Sequence, residues 1–183
     1  MKRSIIAVAV LSSLFMSAGN AAETATSVEQ GELIITGKVV GTTCKFTEGT
    51  TATIAMNEIG EDQFKGLSKG GILEAYSNKT TVPLKVECYG EKAPRITFSS
   101  SQFTDEHDNI TINTASENGA GFAVYYMDGD EEKPITKKES IDLTGKGNDN
   151  KYILHFRAKY AKAGAEVTSG PVNSALTMTV VTD

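Results

Sequence analysis

The 183-residue chain has no tryptophan, two cysteines, two histidines and four prolines. It also lacks an apolar run of about 20 residues, the length that a helix needs to cross a bilayer. Basic residues are in the minority, with 18 lysines and arginines against 23 acidic residues and a net charge of −5. This balance, without a polybasic stretch, argues against a nucleic-acid partner and against binding to an anionic membrane surface.

The residues that could carry chemistry form no catalytic or metal-binding pattern. His107 lies in an acidic loop, residues 104–109, without a second cluster of ligands, so we interpret the loop as a solvated one. His155 falls on the polar face of a strand-like segment. Residues 128–132 resemble a calcium loop only superficially, because the spacing of ligands ends too early. We therefore expect no enzymatic activity, no cofactor and no metal.

The first 22 residues have the pattern of a secretory signal peptide. Lys2 and Arg3 give a positive start, residues 5–15 are apolar, and residues 17–22 are mostly small. An apolar run of about eleven residues is too short to span a bilayer. We expect cleavage after Ala21 or Ala22, with Ala22 favoured, and export of a chain of single-domain size.

Cys44 and Cys88 form an even pair in a chain that we expect to be exported. An oxidising compartment favours a disulfide between them. A metal or redox pair would need further ligands or thiols at short spacing, and the sequence offers none. Closing a loop of this length would stabilise the fold by about 4 kcal/mol in the chain-entropy account.

Short segments with alternating apolar and polar residues recur along the chain. The clearest is residues 152–160, where Tyr152, Leu154 and Phe156 begin an inward face and Lys159 falls on the outward face. Further strands are predicted over residues 51–56, 80–88, 95–99, 109–113, 121–127 and 175–181. Residues 57–71 look like a connection with a short turn of helix. About seven to nine short strands and no long helix predict an all-β antiparallel sandwich.

One further strand-like stretch, residues 31–41, precedes the first cysteine. Its sequence is Gly31-Glu-Leu-Ile-Ile-Thr-Gly-Lys-Val-Val-Gly41, and one face carries Leu33, Ile35, Gly37, Val39 and Gly41. Glu32, Thr36 and Lys38 fall on the other face. A glycine in the middle of an apolar face suggests close approach of another backbone. By itself the pattern is also typical of an ordinary first strand of a sandwich.

Four features in this order resemble pilins of the chaperone-usher pathway, in the type 1 fimbrial subunit family. The first is the arm Ile35-Thr-Gly37-Lys-Val39, with Gly37 seven residues before Cys44. The second is Val82-Pro-Leu-Lys-Val-Glu-Cys88, which places the other cysteine at a strand end. The third is the strand and turn over residues 122–129. The last is Val167-Thr-Ser-Gly-Pro-Val172, followed by an alternating terminal strand. The resemblance covers nearly the whole exported chain.

The resemblance implies an incomplete immunoglobulin-like sandwich that lacks its last strand. Residues 23–41 would be a donor-strand extension and residues 42–183 the pilin domain. The donor residues would be Leu33, Ile35, Gly37, Val39 and Gly41, and the acceptor groove and chaperone contacts would involve Leu176, Met178, Val180 and Asp183. The implied partners are neighbouring pilin subunits, a periplasmic chaperone and an outer-membrane usher. The implied location is a cell-surface fimbrium reached through the periplasm, with a contribution to cell adhesion.

The chain departs from this family at two positions. Many relatives carry an aromatic residue next to the C-terminus, where this chain has Thr182, and Gly41 is smaller than the apolar residue expected in its pocket. Two alternatives therefore stay open beside the structural subunit. One is a single-domain adhesive or carbohydrate-binding subunit, and the other is a secreted enzyme or inhibitor on a complete sandwich.

Overall fold

The computed structural model describes residues 44–89 and 94–182, all within one compact unit. These residues form nine β-strands and no α-helix. The strands are β1 (Cys44–Phe46), β2 (Ile72–Lys79), β3 (Leu84–Cys88), β4 (Pro94–Phe98), β5 (Ala120–Asp128), β6 (Glu131–Pro134), β7 (Ile141–Asp142), β8 (Lys151–Lys162) and β9 (Met178–Thr182). Short 3-10 turns occupy Glu61–Phe64 and Ser100–Gln102. Among the described residues, no helix is long and apolar enough to cross a membrane.

The strands form two antiparallel sheets. The larger sheet has the order β1-β3-β8-β5-β6, and β2 also pairs with the far half of β8. The smaller sheet has the order β7-β4-β9. Alternation along β3 and β8 buries Leu84, Val86, Leu154 and Phe156 against the smaller sheet, whose Ile96 is fully buried. These layers confirm the all-β sandwich expected from the sequence.

The structure contains the expected disulfide. Cys44 and Cys88 lie directly opposite each other in the β1–β3 ladder, with a Cα–Cα distance of 3.9 Å. The bond ties the short first strand to the sheet at a point where the ladder is only three residue pairs long.

Four predicted strands differ from the observed ones. Residues 51–56 are extended but form no strand, the last strand begins at Met178 rather than at residue 175, and residues 109–113 make only isolated bridges at Ile110 and Thr111. The strand predicted over residues 80–88 begins only at Leu84. A strand requires a hydrogen-bonded neighbour, which alternation in one segment cannot supply. In the first two cases the extended conformation is present and the neighbour is absent.

Sequence patterns did not predict β1, β2, β6 or β7. β2 packs mainly exposed residues beside β8, and β6 reads Glu-Glu-Lys-Pro, so neither has an apolar face that alternation would reveal. Lys159 is a further difference. It lies on the outward face of β8 as expected, but it is buried there, with 7% of its surface exposed.

Candidate functional site

A long apolar groove opens along one side of the sandwich. It has a volume of about 840 Å³ and lies between two extended segments, residues 50–56 and residues 172–178. The two segments belong to different ends of the described chain, and neither is paired with the other. The gap therefore has the shape that a missing strand would leave.

The first wall of the groove is residues 51–56. Their exposure alternates strictly, with Ala52, Ile54 and Met56 turned partly inward and packed against the core. Within the described part of the chain, the main-chain groups of residues 51–54 make no hydrogen bond. Asn78 donates to the carbonyl of Ala55. The segment is thus a strand in conformation, with an unpaired edge.

The second wall is residues 172–178, which alternate in the same way. Val172, Ser174, Leu176 and Met178 turn partly inward, and the residues between them are exposed. The main-chain N–H and C=O groups of Val172, Ser174 and Leu176 form no hydrogen bond with any described residue. The chain becomes a paired strand only at Met178, where β9 meets Phe98 of β4. Two unpaired edges therefore line the same groove.

The groove floor comes from the larger sheet and is mainly aromatic and aliphatic. It includes Leu84, Phe122, Val124, Phe156, Ala158 and Tyr160. The Tyr160 hydroxyl donates to the carbonyl of Asn57 at 2.9 Å, and burial, with a smaller contribution from Glu58, raises the pKa of Tyr160. An open apolar floor of this kind gains free energy when another apolar surface covers it.

The groove is electrically neutral over the described residues. No aspartate, glutamate, lysine or arginine lines it, and its polar members are threonines, Asn173 and Ser174. Thr111 is fully buried at one end, where its hydroxyl donates to the Ser174 hydroxyl at 2.8 Å. Such a groove can recognise a ligand by shape and main-chain hydrogen bonds, with little discrimination by charge.

The structure brings part of the expected acceptor set together. Leu176 and Met178 line the groove, whereas Val180 packs against the core beyond the groove's end. The expected donor residues Leu33, Ile35, Gly37, Val39 and Gly41, the signal peptide and Asp183 lie outside the described residues. The division into residues 1–22, 23–41 and 42–183 therefore stays a prediction.

Sequence reasoning missed the opposite wall and most of the floor. Ile54 and Met56 line the groove as fully as Leu176 does. Their alternation is that of an ordinary paired strand, and the sequence does not show that this segment lacks a hydrogen-bonded neighbour. The alternation of residues 152–160 correctly places Phe156 and Tyr160 on the inward face of β8. It does not show whether another strand covers that face.

A polar cluster, separate from the groove, lies on the outer face of the larger sheet. Lys159 contacts Glu74 of β2 and Glu132 of β6, and Arg157 also contacts Glu132. The Lys159 ammonium group lies 4.7 Å from the centre of the Tyr125 ring. Burial opposes the charge of Lys159, but hydrogen bonds to Glu132 and Glu74 outweigh it and raise the pKa of Lys159. This cluster ties the four strands β2, β5, β6 and β8 together.

Comparison with known proteins agrees with this architecture. The family model described as "Fimbrial protein" matches residues 33–182. The uncharacterized fimbrial-like protein YehD of Escherichia coli (strain K12) is 34% identical over 189 aligned residues that cover all of both chains.

Two solved structures share the fold. One is a chaperone-usher pilus solved to explain rod uncoiling, with a TM-score of 0.53, 13% identity, and coverage of 85% of this chain and 96% of that one. The other is the P pilus rod subunit PapA, with a TM-score of 0.52, 14% identity, and coverage of 77% and 99%. The family expected from the sequence and its incomplete immunoglobulin-like sandwich are thereby confirmed. The chain belongs to the fimbrial protein family and is a structural subunit of a fimbria.

Proposed function

We propose that the groove accepts a β-strand from another molecule, and that the chain enters the fimbria by this exchange of strands. The observation that carries the proposal is the pair of unpaired edges, residues 51–54 and residues 172–176, above one apolar floor. A strand between them would receive main-chain hydrogen bonds from both sides. Its alternate side chains would fill the groove, which is the general form of β-augmentation.

The donor that fits is the arm of a second subunit, residues 31–41. Leu33, Ile35, Gly37, Val39 and Gly41 share one face, and the neutral groove would leave the charges of Glu32 and Lys38 in solvent. Because each subunit offers an arm at one end and a groove elsewhere, the contact is heterologous and does not close. Repetition of this contact produces a fibre.

An open groove must be covered before assembly, because exposed strand edges above apolar surface promote aggregation. A periplasmic chaperone that lends a strand would serve this purpose, and an outer-membrane usher would be the place where the arm replaces it. Leu176, Met178, Val180 and Asp183 are the proposed chaperone contacts. Assembly would produce a surface fimbrium that contributes to adhesion. The role of the subunit in it would be structural rather than enzymatic.

The oligomeric state of two chains tests this proposal. The exported chain, residues 23–183, is expected to form a series of head-to-tail oligomers, and the chain lacking residues 23–40 is expected to stay monomeric. Gly37→Trp should block oligomers, because a bulky side chain cannot enter where the backbones approach closely. Ser27→Trp, which lies before the arm, is the matched control and should assemble normally. Assembly of the chain without its arm, equal to that of the parent, would contradict the proposal.

A further inference from the structure

The outer edge of residues 171–177 is held mainly by side chains and pairs with no complete strand. One main-chain hydrogen bond, from the Thr114 N–H to the Asn173 carbonyl at 2.7 Å, and one from the Ser116 hydroxyl to the Pro171 carbonyl at 2.8 Å add to this support. The Asn113 amide group donates to the Pro171 carbonyl at 3.0 Å, and its oxygen accepts from the Asn173 N–H at 3.0 Å. These two contacts reproduce what a peptide group of an adjacent strand would make with alternate residues. Asn113, together with the Thr114 N–H, therefore takes the place of a neighbouring strand at this point.

Gln102 supports the same edge at a point nearer to β9. Its side-chain oxygen accepts from the Thr177 N–H, and its nitrogen donates to the Thr177 hydroxyl at 3.1 Å. The Thr177 carbonyl accepts from Ser99 N–H at 3.0 Å. Between the two amides, the Ser174 hydroxyl donates to the Ile112 carbonyl at 2.8 Å. The segment is thus fixed at intervals along its whole length.

The contacts fall on one side of the segment only. The main-chain groups of Asn173 and Thr177 point to these supports, whereas those of Val172, Ser174 and Leu176 have no partner among the described residues. Because main-chain groups of successive residues alternate between the two edges of a strand, the supported edge leaves the groove-side edge extended and free. This is the conformation that an incoming strand requires.

Asn113 is itself held in place. Its amide nitrogen also donates to the side-chain oxygen of Asn118 at 2.9 Å, and Asn118 is buried, with 7% of its surface exposed. Asn118 in turn donates to the Gly170 carbonyl at 3.2 Å. The support therefore rests on a buried amide rather than on a mobile surface side chain.

We propose that Asn113 and Gln102 are positioning residues that hold residues 171–177 ready to pair with a donor strand. The inference rests on the proposed function of the groove. Ordering a segment before binding removes that entropic cost from the association step. Loss of the supports should therefore slow association of the donor more than it speeds dissociation, since a bound donor holds the edge from its other side.

Stopped-flow binding tests this inference on the exported chain, residues 23–183, carrying Gly37→Trp as the parent, because this substitution is expected to block self-assembly and leave the groove open. The probe is a fluorescent peptide with the sequence of residues 31–41. Asn113→Ala is expected to lower the association rate constant about tenfold, because two hydrogen bonds to the edge are lost. Gln102→Ala, which contacts the edge only at Thr177, should act in the same direction and provides an independent variant. Asn148→Ala removes an exposed amide far from the groove and should stay within about twofold of the parent.

Asn113→Asp separates a positioning role from a general loss of stability. The ionised carboxylate of the Asn113→Asp variant still accepts a hydrogen bond from the Asn173 N–H, but it repels the Pro171 carbonyl oxygen. When the carboxyl group is protonated, it can donate a hydrogen bond to that oxygen. The slow association of Asn113→Asp relative to the parent should therefore recover as the pH falls through about 4, the ordinary range of an aspartate pKa.

Two results would overturn the inference in distinguishable ways. Parent-like association of both Asn113→Ala and Gln102→Ala would remove the positioning role and leave the donor-strand function intact. Failure of the parent itself to bind the peptide would remove the function and this inference together.

Discussion

Lys159 of β8 donates to Glu132 of β6 at 2.6 Å, across the intervening strand β5. The two residues lie on strands that do not pair, and Tyr125 of β5 lies beneath the Lys159 ammonium group. Arg157 donates to the same carboxylate. Glu132 therefore neutralises two cations on a partly buried sheet face, and its removal would leave Lys159 with only the exposed Glu74.

We expect Glu132→Gln to lower the free energy of unfolding by about 1.5–3 kcal/mol at pH 7, the range for hydrogen bonds to charged groups. Glu131→Gln is the matched control, because Glu131 is exposed and makes only a 3.7 Å ion pair. Urea denaturation of both variants measures the difference. Equal stability of the two variants would mean that the cluster does not stabilise the sheet.

The loss of stability caused by Glu132→Gln should depend on pH. The hydrogen bond from Lys159 lowers the pKa of Glu132 below its ordinary value of 4.5, against the smaller opposing effect of burial. A carboxylate with a lowered pKa stabilises the fold above pH 4.5, and this contribution is lost as the pH falls through the folded-state pKa. The stability gap between parent and Glu132→Gln should therefore close in acid. A gap that stays constant down to pH 3 would contradict the assignment.

The disulfide should contribute more than any single ion pair. Cys44 and Cys88 are 44 residues apart in sequence, so the Cys44→Ala/Cys88→Ala double variant is expected to lose about 4 kcal/mol by the chain-entropy account. β1 has only three paired residues and should detach first. Hydrogen exchange of the β1 amides, compared with those of β8, measures this. Unchanged protection of β1 would show that packing alone holds the strand.

Donor binding should depend on inward and not on outward side chains of the groove wall. Leu176→Asp places a charge inside the groove and is expected to weaken binding of the peptide of residues 31–41 by about 100-fold or more, because an unpaired charge would be covered by the donor. Ala175→Asp introduces the same charge on the adjacent exposed position and should bind nearly as the parent does. Isothermal titration of both variants gives the comparison, and equal affinities would place the donor elsewhere.

Donor binding should also be insensitive to salt. No charged side chain lines the groove within the described residues, so screening has little to act on. We expect the dissociation constant of the peptide to change by less than about threefold between 50 mM and 500 mM sodium chloride. A tenfold weakening would indicate that charges outside the groove, acting on Glu32 or Lys38, guide the donor.

Sequence patterns were most informative where an element is paired and covered on one face. The alternation in residues 152–160 predicted β8, and the strand and turn over residues 122–129 predicted β5 and its end at Asp128. The disulfide followed from the even number of cysteines together with the export that the signal peptide predicts. The strand and the turn depend on the local order of residues, which the sequence shows directly.

Features that depend on a neighbour were not predictable in the same way. The alternation of residues 51–56 is that of a strand, and only the three-dimensional arrangement shows that its edge is unpaired. The burial of Lys159 depends on Glu74 and Glu132, which lie on strands without an apolar face. The supports Asn113 and Gln102 lie in a loop and at the end of a short 3-10 turn, where a polar residue carries no pattern that distinguishes it from its neighbours.

Thermal unfolding of the chain lacking residues 23–40 tests the central claim most directly. It is measured alone, with a saturating peptide of residues 31–41, and with the same peptide carrying Gly37→Trp. We predict that the parent peptide raises the midpoint by about 5–10 °C, from the linkage between binding and stability at a large excess of ligand, and that the Gly37→Trp peptide does not. A stable monomer whose midpoint is unchanged by either peptide would show that the sandwich needs no added strand, and would contradict the account.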